Sequence, residues 1–354
     1  MSSNRGKTLP ELTDQLIEAL RQRDERAFGR AMKSIVQQAE TASPQELTDA
    51  LQVLKPVMES VPFGMGVELA RLAAGFVELG GDALVLLETL ALRVCDGLET
   101  AARFPGMWEA EVGGEKLPDS ADDDKIPFVL ERLRSNESRH GAETWFTMDQ
   151  WIPSLLLPLQ QAAGRKALAR NDNLKQRLTA ATEATHEVIG SSHWLYGLLK
   201  VLDDERIVVL HRASGHGYEL TIGGIGDNFQ LHTLLAAHLI GDPARGLIEG
   251  TPPDRAWVAA ASDGPELEPP GGIRGQFNLV DASGAWIWNE GRPCDIPKLD
   301  SVRIIVLDPE PYERSWNAGR AYPLMYPSVR VDRHLSEAEA AAWLARVSPG
   351  QPLN

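Results

Sequence analysis

A chain of 354 residues, 43% apolar and 24% charged, has enough material for a full hydrophobic core and for two or three domains. Its formal charge of −15 argues against nonspecific binding to nucleic acid or anionic membrane, because both attract basic surfaces. The two cysteines, Cys95 and Cys294, lie far apart without CxxC spacing, and read as a buried thiol and a loop thiol rather than a disulfide or a metal pair. No strongly apolar run is long enough to span a bilayer. MSSNRGK leads into an acidic amphipathic helix rather than an apolar signal core, so a soluble cytoplasmic protein is expected.

Five helical segments are predicted near 9–23, 25–41, 44–59, 65–79 and 83–103. The third is announced by Ser43-Pro44-Gln45-Glu46, a capping serine, a proline in the first turn and a glutamate three residues on. Short links between these segments imply a bundle or an irregular α-solenoid over 1–103. No fixed period or tetratricopeptide or ankyrin consensus is present, which favours the bundle. Residues 104–124, rich in Gly, Pro and acids, read as a linker or long loop. Asp122-Asp123-Asp124 lacks the glycine and distal glutamate of a calcium loop and reads as a solvated acidic turn. Helices resume at about 125–138, 151–161, 165–185 and 187–201, with Pro153 in a first turn, Pro158 at a kink and Arg165-Lys166 on a solvated face.

From 202 to 354 the composition turns to β-branched, glycine and aromatic residues. A hairpin is predicted from Ile207 to Ile222 around Ser214-Gly215, setting His211 opposite Tyr218 and giving one apolar and one mixed face. Gly223, Gly224 and Gly226 then permit positive φ, and Asp227 with Gln230 has capping-box spacing. In the helix that follows, Leu231, Leu234, Leu235 and His238 form the buried stripe. Further on, 252–261 reads as a short helix, 262–275 as a Pro/Gly loop, Phe277–Asp281 with Trp286–Asn289 as a second hairpin, and Val302–Leu307 as a central strand. The 308–327 stretch has no usable period, yet its rings argue against disorder. A strand at 329–331 and a capped helix at 336–347 complete an α+β fold: a helical N-terminal half followed by a small, mainly antiparallel sheet domain with flanking helices.

Two chemistries compete in this second half. Asp227, Asn228 and His232 sit at the glycine loop and the helix start, with His216 at the hairpin tip. There His232 would act as general base, Asn228 as polarising donor and Asp227 as orienting cap in a hydrolase or transferase acting on a small substrate. The loop lacks the third glycine of GxGxxG, no GxxxxGK[ST] or GxSxG occurs, and His232 and His238 lie about 120° apart around a helix, so no nucleotide, cofactor or metal site is expected. The aromatic signal is stronger. Trp286 and Trp288 share a face, and the 308–327 loop adds Tyr312, Trp316, Arg320 and Tyr322, a mixture used by ligand pockets and interface hot spots. The leading expectation is therefore a non-catalytic binding or regulatory protein that engages a peptide, protein or small ligand. The plain alternative is that these rings plug the sheet's core. A helical scaffold is a third reading.

Overall fold

A computed structural model describes residues 6–267 and 272–351, and the chain divides after Leu199 into two compact units. Thr8, Asp24 and Ser43 each place a side-chain oxygen on the amide three residues ahead. They thereby start α1 (Leu9–Gln22), α2 (Glu25–Ala39) and α3 (Pro44–Met58). Next come α4 (Phe63–Glu78) and α5 (Leu84–Glu111). The last of these runs well past 103, through Pro105, into the expected linker. Ala101, Phe104 and Trp108 continue its buried stripe at helical spacing, and this burial outweighs the proline. Asp122-Asp123-Asp124 is exposed, as expected of a solvated turn.

The unit is completed by α6 (Ile126–Arg132), α7 (Asn136–Gln160), α8 (Ala162–Ala169), α9 (Asp172–Thr185) and α10 (Gly190–Leu199). Helix α7 starts at a Ser135 cap rather than near 151, so Pro153 lies in its interior. Its polar opening, Asn136 to His140, masks a face of small and bulky residues. A Cβ on Gly141 would meet the Phe104 ring at 2.8 Å, so glycine lets α7 approach α5 closely. Arg165 is not on a solvated face. It is 7% exposed and donates to the Leu159 and Gln160 carbonyls at 2.9 and 2.8 Å, capping the end of α7.

The second unit opens with β1 (Glu205–His211), β2 (His216–Gly223) and α11 (Asn228–Leu239). Then follow β3 (Ile240–Gly241), β4 (Ile248–Glu249), α12 (Arg255–Ala260), β5 (Gly272–Arg274) and β6 (Asn278–Val280). The chain finishes with β7 (Lys298–Leu299), β8 (Val302–Asp308), β9 (Ser315–Asn317), β10 (Ser328–His334) and α13 (Glu337–Leu344). The main sheet has the order β10-β2-β1-β8-β6, with β7 also on β8, and is antiparallel except for β1 beside β8. This is the α+β arrangement that the sequence implies.

In the hairpin, His211 pairs with His216 and Val209 with Tyr218 across a four-residue loop, Arg212 to Gly215, instead of a two-residue turn. The displacement is two residues, so side-chain parity survives. Ile207, Val209, Tyr218, Leu220 and Ile222 still share one buried face. The opposite face is not mixed. Val208, Leu210, Val280, Ile304 and Val306 form a second core under Leu335, Ala340 and Val347. Of the three loop glycines only Gly224 takes positive φ, 65°. Gly226 is there for proximity, since a Cβ would meet that of Ala321 at 2.9 Å.

The histidine faces of α11 are the reverse of the expectation. His232 is fully buried and His238 is exposed. The helix packs its leucines on the sheet, while Gln276, Phe277 and Trp316 cover the side bearing His232, so apolar periodicity alone mislabels that side as solvent-facing. Within 308–327, residues 315–317 form β9, which pairs with β5. The expected second hairpin reduces to β6 and a single bridge, Val280 with Trp286. No helix among the described residues is long and apolar enough to cross a membrane.

Candidate functional site

The first turn of α11 exposes backbone amides that need acceptors, the property that makes helix starts attractive to anions. Here the chain supplies those acceptors itself. Asn228 N–H donates to the Asn289 and Gly291 carbonyls at 3.1 and 2.9 Å, and Phe229 N–H to Asn289 at 3.1 Å. The Asn228 side chain adds a bond from Nδ2 to the Trp288 carbonyl at 2.8 Å. Asp227 accepts from Gln230 N–H at 2.8 Å, and burial pushes its carboxyl above the usual range. Gln230 does not return the capping bond. Its Oε1 accepts from Gly226 N–H at 2.9 Å and its Nε2 donates to the Ala261 carbonyl at 2.7 Å, pinning the glycine loop to the end of α12. Asp227 and Asn228 thus organise a grip on the 288–291 turn.

One helical turn on, His232 is held by aromatic neighbours, 6.1 Å from Phe277 and 4.8 Å from Trp316 between ring centroids. Its Nε2 accepts from Gln276 N–H at 3.2 Å, which leaves the proton on Nδ1, and Nδ1 has no partner among the described residues. Burial, with a smaller contribution from Arg314, pushes its pKa down to about 3. A general base works best with a pKa near the operating pH and within reach of a substrate proton. His232 is weakly basic and enclosed, and its ring does not share a site with His216. That residue lies in the hairpin, where its ring stands edge-on to Tyr218 at 6.4 Å. The geometry therefore sets Asp227 as the cap of α11, Asn228 against the 288–291 turn and His232 within the aromatic packing.

That surface is aromatic. Ile287 turns into the core beneath α11, so Trp286 and Trp288 turn to the other side. Their ring centroids lie 5.7 Å apart, and Tyr312 from the 308–327 stretch lies 6.5 Å from Trp286. Trp288 is 62% and Tyr312 50% exposed. Trp286 packs partly against the core and donates from Nε1 to the Gln351 carbonyl at 3.3 Å. A tight turn fixes the segment from behind. Asp281 accepts from the amides of Ser283 and Ala285, and Asp281 N–H donates to the Ala285 carbonyl.

The other expected ligand residues are not part of this cluster. Trp316 is half-buried on Phe229 and His232 and donates to Thr233 Oγ1 at 3.3 Å. Tyr322 is buried. Arg320 donates from Nη1 to the Ala260, Ser262 and Gly264 carbonyls at 2.9 to 3.0 Å, so it clamps the end of α12 instead of awaiting a ligand. Replacing it with alanine strands these carbonyls. The expected loss is about 2 kcal/mol of stability, measured by denaturant unfolding. His238 lines an open groove of about 580 Å³ with Asp204, Asp263, Tyr326 and Arg330.

Asn289 and Gln351 hold the aromatic cluster in place and Gln276 holds His232, and no period or motif in the sequence marks them. In the helical unit, Cys95, Asp96 and Glu99 bring potential ligand atoms within 4.8 Å of one another. Arg177 pairs with both carboxylates, at 2.9 and 2.8 Å, and burial pushes the thiol up to about 12, so a guanidinium takes the place a cation would need. No protein-family model, curated protein or solved structure matches this chain.

Proposed function

We propose that this is a non-catalytic, cytoplasmic binding or regulatory protein, which engages a peptide, protein or small ligand through Trp286, Trp288 and Tyr312. The observation carrying this reading is the exposure of Trp288 and Tyr312 beside a braced Trp286, with the two segments far apart in sequence. Large rings left in water on a rigid mount forgo burial worth about 2 kcal/mol or more each, which a partner recovers. Rigidity matters because a fixed ring loses little conformational freedom on binding. The grip of α11 on the 288–291 turn supplies it.

A photoactivatable phenylalanine analogue at position 288, introduced into the full chain in its own cells, tests the reading. One discrete adduct is expected, and it should disappear when Tyr312→Ala is added. The same group at exposed Trp194 in the helical unit serves as control. Absence of an adduct, or the same adducts from both positions, would reject the surface.

A further inference from the structure

The aromatic cluster borders a sheet edge whose hydrogen-bonding direction is fixed by its neighbours. Asp281 N–H donates to the Ala285 carbonyl and Ile287 N–H to the Leu279 carbonyl, both at 2.9 Å, on either side of the Val280–Trp286 bridge. In an antiparallel pair this pattern turns the N–H and C=O of the bridged residue away from its partner. The main chain of Trp286 therefore points outward from β6, and among the described residues nothing bonds to it, whereas the Gly284 and Trp288 carbonyls on either side are taken by Gln351 N–H and by Asn228 Nδ2 with Gly291 N–H. The chain already uses main-chain pairing on the adjoining turn. Ser348 and Gln351 N–H donate to the Ala282 and Gly284 carbonyls, and that tail reaches the Trp286 indole at Gln351.

The two ends of the sheet are treated differently. At β10 the register slips between Val331 and Arg333, and Arg330, Asp332 and Arg333 are charged and largely exposed, which are devices that blunt an edge. The Trp286 edge has no such bulge and carries exposed rings. Near Tyr312 in the chain, Glu310 pairs with Arg314 and Glu313 with Arg274, while exposed Glu290, two residues beyond Trp288, has no ion-pair partner among the described residues. Ring faces and an unneutralised carboxylate on a chain of charge −15 favour a cationic visitor.

We propose that this edge accepts an extended basic peptide segment, which adds as a strand beside Trp286 and lays alternate side chains on Trp286, Trp288 and Tyr312. This rests on the aromatic surface being a binding site and names its partner class. Main-chain pairing with Trp286 fixes the register, and the rings give the affinity and select lysine or arginine at alternate positions.

The test is a displayed library of random peptides selected on the full protein, followed by titration of the best binder carrying a single backbone N-methyl group at each position in turn. Methylation at the one position whose N–H faces the Trp286 carbonyl should weaken binding roughly tenfold or more, the other positions should tolerate it, and Trp288→Ala should weaken the parent peptide. Enrichment of lysine or arginine is part of the expected result, and its absence overturns the basic class. A binder that depends on Trp288 but tolerates every N-methyl group overturns strand addition while the aromatic surface stands. Binders indifferent to Trp288→Ala overturn both. Failure to select any peptide overturns the peptide class, and the adduct at position 288 then decides the surface on its own.

Discussion

Removing both exposed rings, Trp288→Ala with Tyr312→Ala, is expected to weaken binding of the partner recovered through position 288 by roughly 100-fold, about 3 kcal/mol. The unfolding midpoint should move little, since surface substitutions away from caps and buried networks stay within about 0.5 kcal/mol. The two effects separate because Trp288 and Tyr312 are exposed, while Trp286 keeps its contact with the core and its bond to Gln351. Substituting Trp316 and Arg320 gives the mirror image. Trp316 packs on His232 and Arg320 clamps the carbonyls of 260, 262 and 264, so that pair should lose stability before it loses affinity. Isothermal titration alongside denaturant unfolding reads both quantities. If the Trp288 and Tyr312 double variant binds as tightly as the parent, the cluster is not the binding surface.

The contrast between the two pairs shows where sequence reasoning reached and where it stopped. Helix starts were legible because a cap is a local device: Ser43 closes its capping box and Asp227 caps α11, although Gln230 does not return the bond. One hairpin face was legible because parity survives a two-residue error in register, whereas the face expected to be mixed is a second core covered by Leu335, Ala340 and Val347. The faces of α11 were not, because amphipathic period assumes one wet side. Here Gln276, Phe277 and Trp316, far along the chain, cover the side that period leaves to water. For the same reason the 308–327 rings could be flagged as a group but not divided. Tyr312 reaches the surface, Trp316 and Tyr322 turn inward, and only tertiary partners distinguish them.

One consequence joins the two chemistries that the sequence offered as rivals. Of the residues expected as a catalytic set at the start of α11, Asn228 holds the turn that carries Trp288. Asn228 is the physical link, with its amide on Asn289 and Gly291 and its side chain on Trp288. The glycine loop resembled a phosphate cradle for a sound reason, since the helix start does draw in acceptors. The acceptors are this chain's own carbonyls, and they carry the Trp288 side chain with them.

Acid should expose the role of His232 more sharply than any activity screen. With its folded pKa pushed down to about 3 and an unfolded value near 6.5, the unfolded chain takes up a proton between those pH values that the native chain refuses. Above about pH 6.5 the residue contributes nothing to pH dependence, and as the pH falls below that value the native state loses stability, about 2 kcal/mol by pH 5 and on the order of 5 kcal/mol by pH 3. His232→Gln cannot titrate but keeps an oxygen for Gln276 N–H. Denaturant unfolding of the full chain should therefore show the parent losing about 2 kcal/mol more than the variant between pH 7 and pH 5. Parallel losses would mean that His232 titrates as freely in the native state as in the unfolded chain. An imidazole open to solvent beside Asn228 is what a general base requires, so that result would return the hydrolase or transferase reading to the start of α11, whereas divergent losses keep His232 as an uncharged packing residue beneath the aromatic surface.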